Sequence, residues 1–100
     1  MSVRWSRRAA RDLAQIHLYV EGHDPEAADR WIGKLWERAA RASKAPMAGR
    51  IVPEYGRPDV REVFLKNYRI IYRTEGRAFV VVTVMEGHRL LPHAVDPDDE

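Results

Sequence analysis

The sequence predicts an α+β fold in which an N-terminal helical hairpin packs on a mainly antiparallel β-sheet. Two observations predict it. Apolar residues recur every three or four positions between residues 9 and 42, which is the period of helices that bury one face. From residue 50 onward, β-branched and aromatic residues form short runs separated by Gly, Pro and Asn, a pattern typical of strands and hairpin turns.

The first two elements are a short strand and a helix. Residues 3 to 5 are expected to form the strand, and Ser6 is the predicted N-cap of a helix that runs to about Glu21. Gly22 is predicted to end this helix, because glycine tolerates the positive φ of a helix C-terminus. The apolar stripe of the helix has spacings of four, three and four residues and consists of Ala9, Leu13, Ile16 and Val20.

A second helix is predicted to begin at Asp24 and Pro25, with Asp24 as N-cap and proline at the first helical position. Trp31 and Trp36 flank its apolar stripe on opposite sides. The two tryptophans are interpreted either as the edge of the core or as a docking surface for a partner helix. The stripe itself consists of Ala28, Ile32, Leu35, Ala39 and Ala42.

The second half of the chain reads as a sheet. Asn67 and the pair Glu75 and Gly76 are predicted to form the turns that separate the last three strands. Residues 1–95 are expected to form a single domain, and the acidic tail at 96–100 is expected to be mobile. The predicted strands are 50–52, 60–66, 68–74 and 77–85.

Charge is unevenly distributed along the chain. The 17 Lys and Arg exceed the 15 Asp and Glu by two, and without the four acids of the tail the difference is 17 minus 11, or +6. A basic body indicates an anionic partner, either nucleic acid or an acidic protein surface, although solvated basic faces are also common. The chain lacks an apolar run of the roughly 20 residues that span a membrane, and its start lacks the apolar segment of a secretory signal. A cytoplasmic protein without a membrane partner is therefore expected.

No cofactor or metal is predicted. The sequence has no cysteine, which excludes disulfides and thiolate metal sites. Its four histidines are scattered and include no pair four residues apart, so they do not form the pattern of a metal site.

Strand alternation places basic residues on one face of the sheet. Along residues 68–73, the two tyrosines and Ile70 are expected to lie beneath the helices, whereas Arg69 and Arg73 are expected on the opposite, open face, outside the core. Arg61 and Lys66 on the preceding strand add to this charge. The face is interpreted as a contact for RNA phosphates, as a protein-binding face, or as a solvated face with ion pairs. Glu62 is expected to pair with a neighbouring basic side chain.

The stretches DLAQIHLYV, DPEAADRWIGKL, GRIVPEYG, VREVFLKNYRIIYR and FVVVTVMEGHRLL together resemble the RelE/ParE superfamily of bacterial type II toxins. The resemblance covers residues 3 to 91. It implies a cognate antitoxin, ParD-like or similar, whose C-terminal segment wraps the toxin.

The superfamily divides by function. RelE-like members cut messenger RNA in the ribosomal A site with a cluster of Lys and Arg and a C-terminal Tyr, whereas ParE-like members poison DNA gyrase and are not nucleases. Arg69 and Arg89 match the RelE-like cluster, but the paired lysines are not reproduced and no tyrosine follows Arg89. Only a histidine, His88 or His93, could then move a proton. The pattern VPE, VRE and YRIIY resembles ParE more than RelE.

The resemblance therefore implies a ParE-like toxin that inhibits DNA gyrase by protein binding and is neutralised by its antitoxin. The alternative is a RelE-like, ribosome-dependent mRNA endoribonuclease that uses Arg69, Arg89 and His88 or His93. A third possibility is a member that has lost toxicity and serves as an antitoxin-bound repressor partner. The residues expected to bind target or antitoxin are Arg61, Lys66, Arg69, Arg73, Arg89, Trp31 and Trp36.

Overall fold

A computed structural model of the protein describes residues 2–100 and confirms the α+β class. Two helices lie on one face of a five-stranded sheet with the order β1-β5-β4-β3-β2. Strand β1 is parallel to β5, and the other neighbours are antiparallel. The elements are β1 (Val3–Trp5), α1 (Arg7–His23), α2 (Pro25–Lys44), a 3₁₀ turn (Pro46–Ala48), β2 (Arg50–Ile51), β3 (Val60–Leu65), β4 (Tyr68–Glu75) and β5 (Ala78–Glu86).

Helix α1 begins at the predicted cap but ends later than predicted. The hydroxyl of Ser6, which is fully buried, accepts a hydrogen bond from the backbone N–H of Ala9 at 3.0 Å. Gly22 does not end the helix, so that prediction is wrong. The helix continues to His23 because the extended residue Asp24 closes its last turn, donating its backbone N–H to the carbonyl of Val20 at 2.7 Å.

The side chain of Asp24 also begins helix α2. It accepts a hydrogen bond from the backbone N–H of Glu26 at 3.2 Å, and Pro25 occupies the first turn, as predicted. One residue therefore ends α1 and caps α2, which keeps the connection between the two helices short.

A β-bulge fixes where α1 meets the sheet. The pairing of β4 with β5 shifts between Ile71 and Tyr72, so that Val82 has no partner on β4. Asp12 of α1 accepts hydrogen bonds from the Thr83 hydroxyl at 2.5 Å and from the backbone N–H of the next residue at 3.1 Å. The N-cap hydroxyl donates to the carbonyl of Val82 at 2.7 Å. The polar groups freed by the bulge are thus satisfied by the first turns of α1.

The sheet is covered on both faces. The main core lies between the helices and the sheet and contains the predicted set of Tyr68, Ile70 and Tyr72. A second apolar cluster lies on the opposite face, where the loop at 52–59 and the C-terminal segment pack against β3, β4 and β5. Its buried members are Val52, Val60, Ile71, Val82 and Val95.

The prediction of an open sheet face is therefore wrong. Val52 and Val95 act as apolar anchors that hold two irregular segments against the sheet, and the Tyr55 hydroxyl donates to the carbonyl of Val95 at 2.8 Å. Within residues 2–100, no helix is long and apolar enough to cross a membrane.

The junction of α1 with the bulge predicts the stability of a Ser6→Ala variant. This change removes the cap and leaves the carbonyl of Val82 without its hydroxyl donor, so we expect a loss of about 2 kcal/mol in the free energy of unfolding. Urea denaturation followed by circular dichroism measures it.

The matched control is Ser43→Ala. Ser43 is also buried, but its hydroxyl donates only to the carbonyl of Ala40 within its own helix. We expect a change of about 0.5 kcal/mol or less for the control, because alanine favours a helix. Equal losses for the two variants would contradict the importance of this junction.

Candidate functional site

Arg69, at the centre of the predicted basic face, is a buried residue in an ion-pair network. The residue is 5% exposed, whereas the sequence predicted it outside the core. Its Nε donates to Glu62 Oε1 at 2.7 Å, and its two terminal nitrogens donate to the carboxylate of Glu54 at 3.1 and 3.2 Å. All three nitrogens of the guanidinium therefore donate to carboxylates of the same chain.

Glu62 holds this network together. Its residue is 1% exposed, and its second carboxylate oxygen accepts two hydrogen bonds from Arg50, one of them from Nε at 2.8 Å. Arg50 lies opposite Glu62 in the pairing of β2 with β3. The expectation that Glu62 pairs with a neighbouring basic side chain is confirmed. We refer to Arg50, Glu54, Glu62 and Arg69 as the ion-pair network.

The network also affects titration. Hydrogen bonding to Arg69 holds the pKa of the Glu54 carboxyl below its usual range, against the opposing effect of burial. Burial disfavours the charged form of Arg69, but the hydrogen bonds and charges of the two glutamates outweigh it, so its pKa is raised. Arg69 therefore stays a cation whose charge is already compensated.

Arg73 is buried as well and holds the C-terminal tail. One of its terminal nitrogens donates to the backbone carbonyls of Pro97 at 2.7 Å and Asp99 at 3.0 Å. Arg57 donates to both carboxylate oxygens of Asp98, at 3.1 and 2.9 Å. The mobility predicted for residues 96–100 stays a prediction, but in this structure the tail lies against these two arginines.

The other basic residues predicted on β3 and its turn are separated from Arg69. Arg61 lies opposite Tyr72 and hence on the helix side of the sheet, where it donates to the carbonyls of Pro58, Met47 and Gly49 at 2.9 to 3.2 Å. Lys66 lies in the turn between β3 and β4 with a positive φ of 54° and is exposed. The predicted basic cluster is thus divided among different parts of the surface and the interior.

The C-terminal candidates are exposed and do not join Arg69. His88 lies beside Glu86, with Nε2 at 3.1 Å from its carboxylate, and both His88 and His93 are exposed. Arg89 is exposed and lines a groove on the helix side of β5. No hydrogen bond or ion pair within residues 2–100 joins Arg69 to the C-terminal residues proposed for RNA cleavage.

The two tryptophans have different environments. Trp31 is half-buried, makes an edge contact with Tyr68 at 6.0 Å between ring centroids, and lies under the ammonium group of Lys34 at 5.5 Å. Trp36 is 56% exposed. Trp31 thus matches the core-edge interpretation, and Trp36 remains available for docking.

Trp36 borders an apolar groove of about 420 Å³ between the two helices and the start of the chain. We call it the Trp36 groove. Exposed apolar surface of this kind marks interaction sites more often than an isolated apolar residue does. Its lining residues are Trp5, Ala10, Leu13, Ala14, His17, Ile32 and Trp36.

A second groove, of about 370 Å³, lies on the other side of α1, between that helix, β5 and the C-terminal segment. We call it the Arg89 groove. Its lining mixes apolar side chains such as Ile16 and Val84 with polar ones such as Arg8, Gln15 and Arg89. Arg89 could be identified from the sequence, whereas Arg8 and Gln15 could not, because only the packing of α1 on β5 brings the three residues together.

The remaining members of the ion-pair network were also missed. Arg50 and Glu54 lie in the stretch that carries part of the family resemblance, GRIVPEYG, but their role depends on the pairing of β2 with β3 and on the loop that follows. Among residues 2–100, no group of three or more His, Asp or Glu side chains is arranged to hold a metal ion.

Three comparisons with known proteins agree with this architecture. The family model described as "ParE toxin of type II toxin-antitoxin system, parDE" matches residues 3–91. A protein of Sinorhizobium fredii named "Putative toxin Y4kP" is 33% identical over 96 residues, which cover 93% of this chain and 95% of that protein. A chain from the solved structure "Chromosomal ParDE TA system from P. aeruginosa" has the same fold, with a TM-score of 0.73 and 24% identity, over 86% of this chain and 95% of that one.

The ion-pair network predicts the effect of removing Arg69. Arg69→Met leaves the buried Glu62 carboxylate with Arg50 alone, so we expect a loss of about 3 kcal/mol in the free energy of unfolding. In the double variant with Glu62→Gln, the loss should be smaller than the sum of the two single losses by about 1 kcal/mol or more. Urea denaturation of the four proteins measures this coupling.

Arg77→Met is the matched control, because Arg77 is exposed in the turn before β5. Its effect should stay within about 0.5 kcal/mol. A loss for Arg69→Met as small as that of the control would show that the network contributes nothing to folding.

Arg57 predicts a pH dependence. Its hydrogen bonds hold the pKa values of the Asp59 and Asp98 carboxyls below their usual range. A depressed folded-state pKa gives stability that is present above the unfolded value of about 3.9 and is lost as the pH falls through the folded value. In Arg57→Ala, both pKa values should return toward the unfolded value, and carbon-detected NMR titration of the carboxyls measures them.

Arg77→Ala is the control for this titration and should leave both pKa values unchanged. The same experiment tests the predicted mobility of the tail. A tail that is detached in solution would leave the wild-type Asp98 pKa at its ordinary value, which would contradict the contact between Arg57 and Asp98.

Proposed function

This chain belongs to the ParE toxin family of type II toxin–antitoxin systems, and we propose that it arrests growth by binding and inhibiting DNA gyrase. The proposal takes its target from the ParE-like branch that the sequence resembles. We further propose that a cognate antitoxin, ParD-like or similar, neutralises the toxin by covering part of its surface.

The observation that carries the proposal is the ion-pair network. Cleavage of RNA through its 2′-hydroxyl requires a cation at the phosphate, a proton acceptor and a proton donor. The residue best placed by sequence to supply the cation, Arg69, is buried and compensated by Glu54 and Glu62. A phosphate would have to displace two carboxylates to reach it. This arrangement favours action by binding over the alternative of a ribosome-dependent nuclease.

The Trp36 groove is the surface that best fits the antitoxin. An amphipathic helix binds a groove of this type by inserting apolar residues spaced three or four apart. The groove is almost entirely apolar and has an exposed tryptophan at its edge, and tryptophan is enriched among residues that dominate binding energy. Obligate interfaces are more hydrophobic than transient ones, so a nearly apolar groove suits a partner that stays bound.

Purified gyrase tests the target directly. The toxin should inhibit supercoiling of relaxed plasmid, and prior addition of the antitoxin should abolish inhibition. A translation extract with a defined messenger RNA is the parallel assay. Cleavage of that RNA in the presence of ribosomes, with supercoiling unaffected, would overturn the proposal in favour of the nuclease.

A variant of the Trp36 groove tests the antitoxin surface. Trp36→Ala should weaken antitoxin binding by about 2 kcal/mol, or roughly thirtyfold in Kd, because the indole supplies a large apolar contact. Isothermal titration calorimetry measures the Kd. Lys34→Ala, an exposed change on the same helix, should have an effect of less than about threefold. Equal affinities for Trp36→Ala and wild type would place the antitoxin elsewhere.

A further inference from the structure

We propose that the Arg89 groove is the surface by which the toxin contacts its target, and that it receives an acidic segment of the target protein that also carries an apolar or aromatic side chain. This inference rests on the proposed function in one respect, because it takes the target to be a protein. It goes further by naming the surface and the chemistry of the bound segment.

The Arg89 groove is lined by two acidic and two basic side chains. Its two acids are already engaged: Asp12 accepts hydrogen bonds from the Thr83 hydroxyl and the backbone of β5, and Glu86 lies 3.1 Å from His88. Its two arginines, Arg8 and Arg89, form no ion pair with any residue from 2 to 100. The groove thus contains two guanidinium groups that have no ion-pair partner and can each bind a carboxylate of another molecule.

The floor of the Arg89 groove is apolar, and its rim carries an aromatic side chain. Ile16, Val84 and Val95 supply apolar surface between the charged groups, and Tyr19, which is largely exposed, lies at the edge. Binding energy at protein interfaces concentrates on such aromatic and arginine side chains around a desolvated centre. A segment with an apolar side chain for the floor and carboxylates for the two arginines would match this lining.

The two grooves differ in their lining, which distinguishes the surface proposed for the target from the surface proposed for the antitoxin. The Trp36 groove lies on the other side of α1 and is almost wholly apolar, as expected for a permanent partner. A toxin encounters its target as a separate protein, and long-range attraction between complementary charges accelerates such an encounter. The unpaired arginines of the Arg89 groove suit that role better than they suit a partner made beside the toxin.

Charge reversal tests the inference. Arg8→Glu and Arg89→Glu are made singly and together, with Arg11→Glu as matched control. Arg11 is an exposed residue one turn along α1 that undergoes the same change of charge but does not line the groove. Because neither groove arginine has an ion-pair partner, we expect all variants to keep the wild-type melting temperature within a few degrees.

Three readouts are compared: growth arrest on induction, inhibition of purified gyrase, and Kd for the antitoxin. The double variant should lose growth arrest, and it should need at least about tenfold more protein to inhibit supercoiling, because charge pairs at an interface govern association. Its antitoxin Kd should stay within about threefold of wild type. The control should behave as wild type in all three assays.

Several outcomes would overturn the inference. Wild-type toxicity in the double variant would do so, as would an equal loss in Arg11→Glu, which would indicate a diffuse charge effect. Loss of antitoxin binding without loss of toxicity would assign the groove to the antitoxin. If the wild type arrests growth without inhibiting gyrase, the proposed target is wrong. Growth arrest in the variants then still decides whether the groove contacts the actual target.

Discussion

Glu62 has almost no exposed surface, so its carboxylate must be neutralised by neighbouring side chains. The pairing of the strands around it depends on these ion pairs. Arg69 from β4 and Arg50 from β2 approach it from two sides, so the ion pairs connect three neighbouring strands. An isolated buried carboxylate is strongly unfavourable, whereas one with several hydrogen bonds is tolerated. The network therefore constrains the register of β3 against β4. It also stabilises the pairing of the short strand β2 with β3.

This constraint has a functional consequence. Basic residues in the middle of a sheet suggest an active site or a phosphate-binding face. In this chain, however, Arg69 and Arg73 already donate hydrogen bonds to groups of the same chain. Two of the charges left for other molecules, Arg8 on α1 and Arg89 after β5, line the Arg89 groove. Binding surfaces on both sides of α1 would allow the antitoxin and the target to contact different parts of one helix. This arrangement is consistent with a toxin that acts by docking.

Local sequence signals were sufficient to predict most helices and strands, but they did not predict the segments that cover the second face of the sheet. Ser6, Asp24 and Pro25 carry capping chemistry that depends on adjacent residues, and the alternation along β4 correctly assigned Tyr68, Ile70 and Tyr72 to the helix side. The burial of Arg69 could not be predicted, because its partner Glu54 lies 15 residues earlier in an irregular segment with no periodicity. The bulge at Val82 and the placement of Arg8 and Arg89 in one groove likewise arise from tertiary packing. Trp31 and Trp36 flank the apolar stripe of α2 in the same way, so the sequence does not distinguish them. In the structure they differ because only Trp31 contacts Tyr68.

We propose that this toxin acts by binding a protein of DNA metabolism and does not cut RNA. Pulse labelling in cells tests it most directly: the toxin is induced without antitoxin, and incorporation of labelled thymidine and methionine is followed over the first minutes. Coexpression of the antitoxin is the control and should preserve both signals. If the toxin inhibits gyrase, we expect thymidine incorporation to fall first and the cells to filament. A collapse of methionine incorporation before any change in thymidine incorporation would identify the ribosome as the target and contradict action on gyrase.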